Sequence, residues 1–147
     1  MHLDDQVRVM YLTSEKGQHF TNGTDFRTLQ HFTANHDLDR LANYLNDIFQ
    51  LQATLAKVNK PVLTIAPGHA FNSGATMLAA SGIPAVCQNT VLSFNECTFG
   101  FVPHAGTTYY ASRLPGDLGT FLVLTGIPFS GQDAINFKLA DKTIHVP

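Results

Sequence analysis

Residues 60–80 constrain the fold more than any other stretch of this chain. Lys60-Pro61 leads into an unbroken apolar run, residues 62–66 (VLTIA), which Pro67-Gly68 then stops. A short apolar run between breakers reads as a buried strand, because proline fixes its own dihedral and withdraws a ladder donor. Behind it, residues 73–80 are nearly all small and read as a helix that packs close. Ahead of it, residues 38–58 carry Leu38, Leu41, Leu45, Ile48, Leu55 and Val58 at helical spacing. That pattern predicts a long helix with one apolar face, N-capped by Asp37. Helix, buried strand, turn and helix in succession argue for layered α/β packing.

The rest of the chain agrees with that class. Residues 7–12 (VRVMYL) read as a buried strand, and residues 13–23 as a polar loop with Gly17 and Asn22-Gly23 as turn residues. Gly82-Ile83-Pro84 stops the small-residue helix, and residues 85–87 and 91–94 read as short strands. Residues 107–113, 117–124 and 132–137 read as short helices, and residues 143–146 as a final strand. No internal repeat or low-complexity linker is visible, so residues 1–147 are expected to form a single domain.

Only 14% of the residues are charged, against roughly a quarter in ordinary soluble domains, and just two are glutamates, Glu15 and Glu96. So little charge points to a surface largely covered by other protein, as a homo-oligomer or in a heteromeric assembly. Nine Lys+Arg against eleven Asp+Glu, without a basic cluster, give no nucleic-acid footprint. No run of 18 apolar residues is present, so no membrane span is expected. The start, Met-His-Leu-Asp-Asp, has neither a secretory core nor an Arg-rich transit pattern. Cys87 and Cys97 lie in apolar surroundings without zinc-ligand spacing and are expected as buried free thiols; no metal site is expected.

Two junctions carry the candidate chemistry: Phe20-Thr-Asn-Gly-Thr-Asp-Phe26 and Gly68-His-Ala-Phe-Asn-Ser-Gly-Ala75. Both put glycine and small residues where a strand gives way to a turn or helix, and free N–H groups there can hold an anion or developing oxyanion. Neither is a phosphate-binding Walker loop, a GxGxxG turn or a nucleophile elbow.

In order and spacing these segments resemble the enoyl-CoA hydratase/isomerase (crotonase) superfamily. VRVMYLTSEKGQHFTNGTDF is similar to its strand–loop ending in Ala-Gly-x-Asp, and KPVLTIAPG to its second strand before a Gly-Gly-Gly turn. LSFNECTFGFVPHAGTTYYASRLPG is similar to its Phe-x-x-Pro-Glu stretch, and LPGDLGTFLVLTG resembles the 3-hydroxyisobutyryl-CoA hydrolase branch. The resemblance implies a crotonase-type spiral of ββα units, incomplete at both ends, acting on an acyl-CoA thioester with no cofactor beyond the substrate's own coenzyme A. It implies a mitochondrial matrix or cytoplasmic location.

Carried over by position, the oxyanion-hole N–H groups belong to Thr24 and Ser73, with Gly23, Asn72, Gly74 and Thr76 around the substrate. Asn72 and Ser73 stand where the family has glycine, and their side chains are expected to crowd the thioester or change the local dihedrals. Of the hydratase pair of glutamates, Thr76 replaces the first and Glu96 keeps the second. A threonine hydroxyl is no general base at neutral pH, so two-carboxylate hydration is lost. The hydrolases' further acids fall on His104 and on Ile48, with Asp47 one residue away. Glu96, placed between Phe94, Phe99 and Phe101, and His104 are then the catalytic candidates, and Asp25 is expected to bond local backbone. Three functions follow from the resemblance: a thioester hydrolase, a catalytically degenerate subunit of a mitochondrial ribosomal or respiratory assembly, and a single-glutamate enoyl-CoA isomerase.

Overall fold

The computed structural model describes residues 4–15 and 18–145. Gly17, the start Met1–Leu3 and the end of the expected last strand at Val146 lie outside the described residues. The chain runs β1 (Met10–Leu12), α1 (Phe26–Ala34), α2 (Leu38–Lys57), β2 (Val62–Ala66), β3 (His69–Phe71), α3 (Ser73–Ala80), β4 (Ile83–Val86) and β5 (Val91–Ser93). A 3-10 turn (Glu96–Phe99) follows, then α4 (Thr107–Ala111), α5 (Leu118–Thr125), β6 (Phe129–Ser130), α6 (Gly131–Asn136) and β7 (Lys142–Thr143).

Two sheets form among the described residues, and from β2 to β5 successive strands alternate between them. The first is parallel, in the order β1-β2-β4-β7; the second has the order β3-β5-β6, with β3 and β5 parallel. Two strands of the first sheet, β2 and β4, each turn into a strand of the second that leads on to a helix, so that β2-β3-α3 and β4-β5-α4 are two ββα units. The α/β expectation holds in this form. The core lies between the sheets and α3, α5 and α6, around Ala66, Leu78, Val86, Leu92, Phe94, Leu122 and Phe129. Small residues on α3 let it pack directly against the strands.

Several expectations change. The first strand covers only residues 10–12 and is not buried: Tyr11 is 61% exposed, because β1 has a partner on one side only among the described residues. The turn at 67–72 contains a strand, β3, that its three residues were too short to announce. A helix, α1, fills residues 26–34, capped by Asp25, whose carboxylate accepts from the Arg27 N–H (3.0 Å) and the Thr28 hydroxyl (2.9 Å). The apolar face of α2 is only half buried, and its one fully buried side chain is Gln52. Cys87 is buried and burial pushes its thiol up, whereas Cys97 is half exposed; both are free. No described helix is long and apolar enough to cross a membrane.

The caps carry an acid-sensitive contribution. Ser130 and Asp133 form a reciprocal box at the start of α6, and the Ser130 hydroxyl, then its N–H, hold the Asp133 carboxyl below its usual 3.8. Thr28, then the Arg27 N–H, do the same for Asp25. A carboxyl depressed in the folded state stabilises above its unfolded value and stops doing so as pH falls through the folded one. Melting followed from about pH 5 down to pH 3 should therefore show a loss that shrinks in Asp133→Asn. An unchanged acid slope in that variant would remove the cap from the account.

Candidate active site

The two junctions picked out in the sequence meet in space. The chain after β1 runs beside β3, with Thr21 bridged to Ala70, so that Gly23 and Thr24 lie against Asn72 and Ser73. Gly74 makes this approach possible: a Cβ there would sit 2.5 Å from Thr21 Cγ2. The Thr24 and Ser73 amides point at one spot, and that spot is filled. Both donate to Asn72 Oδ1, each at 2.7 Å.

Asn72 is held in that pose from every side. Its backbone takes φ 39° and ψ −116°, a conformation that side-chain-bearing residues rarely adopt. Its Nδ2 donates to the Asn22 carbonyl at 2.8 Å, and the Ser73 hydroxyl donates to its Oδ1 at 3.2 Å. The side chain is 2% exposed. Gly23, at φ 77°, is the complement: a Cβ on it would come within 1.9 Å of Asn72 Oδ1. The expected crowding by residue 72 takes this form, a carboxamide oxygen lying where the two amides converge.

A second network runs from the same spot into the core. Thr24 Oγ1 lies 3.0 Å from Ser73 Oγ and 2.7 Å from His104 Nε2. His104 Nδ1 faces Glu96 Oε1 at 3.6 Å, and the Thr107 hydroxyl donates to that same oxygen at 2.5 Å. Glu96 is wholly buried and His104 nearly so; among the described residues Glu96 Oε2 and His104 Nδ1 have no hydrogen-bond partner. Phe94 is buried near the start of the 3-10 turn, but Phe99 is 61% exposed and instead stacks on Phe26 at 5.0 Å. Phe101 stands edge-on to His104, with ring centroids 5.1 Å apart.

A cleft of about 1260 Å³ opens at the junction of Gly23-Thr24 with Asn72, lined also by Phe26, Leu41 and Phe101. A smaller hollow of about 170 Å³ lies under α2, against Ile48, Gln52, Ser73 and Gly74. Gln52, which periodicity had no means of singling out, donates to the Ser73 carbonyl at 2.8 Å. Asp47 is exposed, so it does not stand in for the missing carboxylate. Thr76 is fully buried with its hydroxyl turned back onto the Ser73 carbonyl (3.0 Å), away from the cleft. His69 stacks between His19 (4.2 Å) and Phe71 (4.7 Å) beside the turn. Among the described residues no three His, Cys, Asp or Glu side chains gather as a metal site.

Alternating two-sheet ββα units with paired amides at a strand–helix junction define a crotonase-type protein. The sequence model of the enoyl-CoA hydratase/isomerase family matches residues 1–146, and the chain belongs to that family. Among solved structures, the chain is similar to a carnitinyl-CoA dehydratase from Mycobacterium thermoresistibile, with a TM-score of 0.88 and 32% identity, over 96% of this chain and 41% of that one. It is 27% identical over 131 residues to the mitochondrial 3-hydroxyisobutyryl-CoA hydrolase of Xenopus tropicalis, covering 88% of this chain and 34% of the relative. It is also 30% identical over 129 residues to the small ribosomal subunit protein mS47 of Arabidopsis thaliana, covering 88% of this chain and 32% of the relative. The chain thus spans about a third of the length of these curated relatives.

Proposed function

We propose that this chain serves as a non-catalytic, architectural member of the crotonase family, built into a larger protein assembly of the ribosomal kind in mitochondria. The observation that carries the reading is Asn72 Oδ1, 2.7 Å from both the Thr24 and the Ser73 amide. A substrate carbonyl oxygen would need that same point, since such donors act only at about 3 Å from the oxygen they stabilise. The thioester would have to displace a buried carboxamide that already satisfies both amides and the Asn22 carbonyl. Thr76 in place of a carboxylate removes the hydratase chemistry as well.

Two further features support an assembly. Phe121, Leu124 and Ile127 on and just after α5, with Phe99 and Val102 at and after the 3-10 turn that α5 packs against, are all 46–68% exposed. Exposed apolar side chains in such number mark contact surface. The mS47 relative is named as a small ribosomal subunit protein, and the Xenopus relative as mitochondrial.

A second reading, a 3-hydroxyisobutyryl-CoA-type thioester hydrolase, is favoured by one observation, the buried Glu96–His104 pair beside Thr24.

The experiment compares the wild type with Asn72→Gly, using calorimetry with acetyl-CoA and a thiol reagent for released CoA. Glycine accepts the positive φ and empties the spot. Its loss of hydrogen bonds and relief of strain should leave it about 1 kcal/mol less stable. Wild type should bind acetyl-CoA at least tenfold more weakly than Asn72→Gly and should release no CoA from it. Wild-type turnover that disappears in Glu96→Gln would overturn the architectural reading in favour of the hydrolase.

A further inference from the structure

The network behind the filled spot has an order that neither architecture nor two-carboxylate chemistry uses. Glu96, His104 and Thr24 lie in a row: carboxylate, imidazole, hydroxyl. With the proton on His104 Nδ1, that N–H faces Glu96 Oε1 at 3.6 Å. Nε2 is then a lone-pair acceptor, and Thr24 Oγ1 donates to it at 2.7 Å. Thr107 fixes the carboxylate from the far side, and the face of His104 is walled by Phe101, with Phe26 and Phe49 further out. The Thr24 N–H, on the same residue as the hydroxyl, is one of the two amides that converge beside it. A nucleophile hydrogen-bonded to a base, a base facing an orienting carboxylate, and an amide pair next to the nucleophile are the three parts of a covalent acyl-transfer site.

We infer that Thr24 is a masked acyl acceptor, with His104 as its base, Glu96 as the residue positioning His104, and Asn72 as the mask. The inference rests on the reading that Asn72 closes the two-amide spot. The substrate class is a small activated acyl group, a thioester or an aryl ester. Thr24 Oγ1 bonds to the acyl carbon and its proton passes to His104 Nε2. The carbonyl oxygen takes the position now held by Asn72 Oδ1. The bond to sulfur or aryloxide then breaks, and the same proton leaves with that group. Thr24 carries the acyl ester, and one thiol or phenol is released, so atoms and electrons balance without any other reactant.

The test uses p-nitrophenyl acetate with peptide mass mapping on four proteins: wild type, Asn72→Gly, Asn72→Gly/Thr24→Val and Asn72→Gly/His104→Gln. Asn72→Ala runs beside Asn72→Gly, so that opening the spot does not depend on added backbone freedom. Both single variants should gain one acetyl group on the peptide containing Thr24, at least tenfold faster than wild type. Each double variant should lose at least nine-tenths of that rate. Acetylation at Ser73 in place of Thr24, or a Thr24 signal indifferent to His104→Gln, would overturn the inference. Variants that bind acetyl-CoA without acetylating Thr24 would remove the relay and leave the mask standing. Wild type acetylated at Thr24 as fast as Asn72→Gly would uphold the relay and remove the mask.

Discussion

Gly119→Ala should cost about 3 kcal/mol and lower the melting temperature by about 10 °C. Gly119 lies in the first turn of α5, where that helix crosses α4, and it has no positive φ to explain a glycine. The reason is contact. A Cβ there would stand 1.9 Å from the Ala111 carbonyl oxygen and 2.6 Å from its carbon. Both are backbone atoms, so no side chain can rotate aside, and the helices must separate by more than an ångström. Separation unseats Leu114 and Leu122, which join the main core from either side of that crossing. Overpacking usually costs 1–3 kcal/mol, and a backbone obstacle places this case at or above the upper end. Gly82→Ala is the control, since the nearest atom to its Cβ is 3.8 Å away; it should be neutral or slightly stabilising. Urea melts of the two variants decide it, and equal midpoints would refute the close crossing.

The contrast between α2 and α1 shows what the chain discloses about itself. Six apolar residues at helical spacing over five turns, with Asp37 as a cap, make α2 readable. In α1 only Leu29 is buried, and its nine residues offer too little period for a reading, although Asp25 bonds local backbone as its place in the motif implies. The family motifs located Thr24, Ser73, Glu96 and His104, because their order along the chain is a linear property. What the motifs could not convey is the direction Asn72 takes. That depends on a positive φ at residue 72 and on the absence of a Cβ at Gly23, some fifty positions away in sequence. Sequence supplied the observation that an asparagine stood at a glycine position. Only the meeting of two loops determines that its oxygen turns inward, onto the amides. Gln52 is invisible for a related reason: a glutamine on a half-buried helix reads as surface until the Ser73 carbonyl is found beneath it.

Glu96→Ala is expected to destabilise the fold by about 3 kcal/mol, and Glu96→Gln by about 1 kcal/mol or less. Glu96 has no exposed surface, so truncation leaves a cavity that neighbours on the 3-10 turn and α4 cannot readily fill. It also strands the Thr107 hydroxyl, which now donates to Oε1, and leaves His104 Nδ1 facing empty space. A stranded buried donor costs about 1–3 kcal/mol beyond the lost packing. Glutamine keeps the volume and an acceptor for Thr107, so both the packing and that hydrogen bond survive. The two substitutions therefore separate what the fold asks of residue 96 from what acyl chemistry would ask. If Ala melts well below Gln, the side chain is a structural strut whose carboxyl group is dispensable, in keeping with an architectural role. If Ala melts with wild type, packing gives no reason for a carboxylate in the core. Its place behind His104 would then have to be explained by the relay to Thr24.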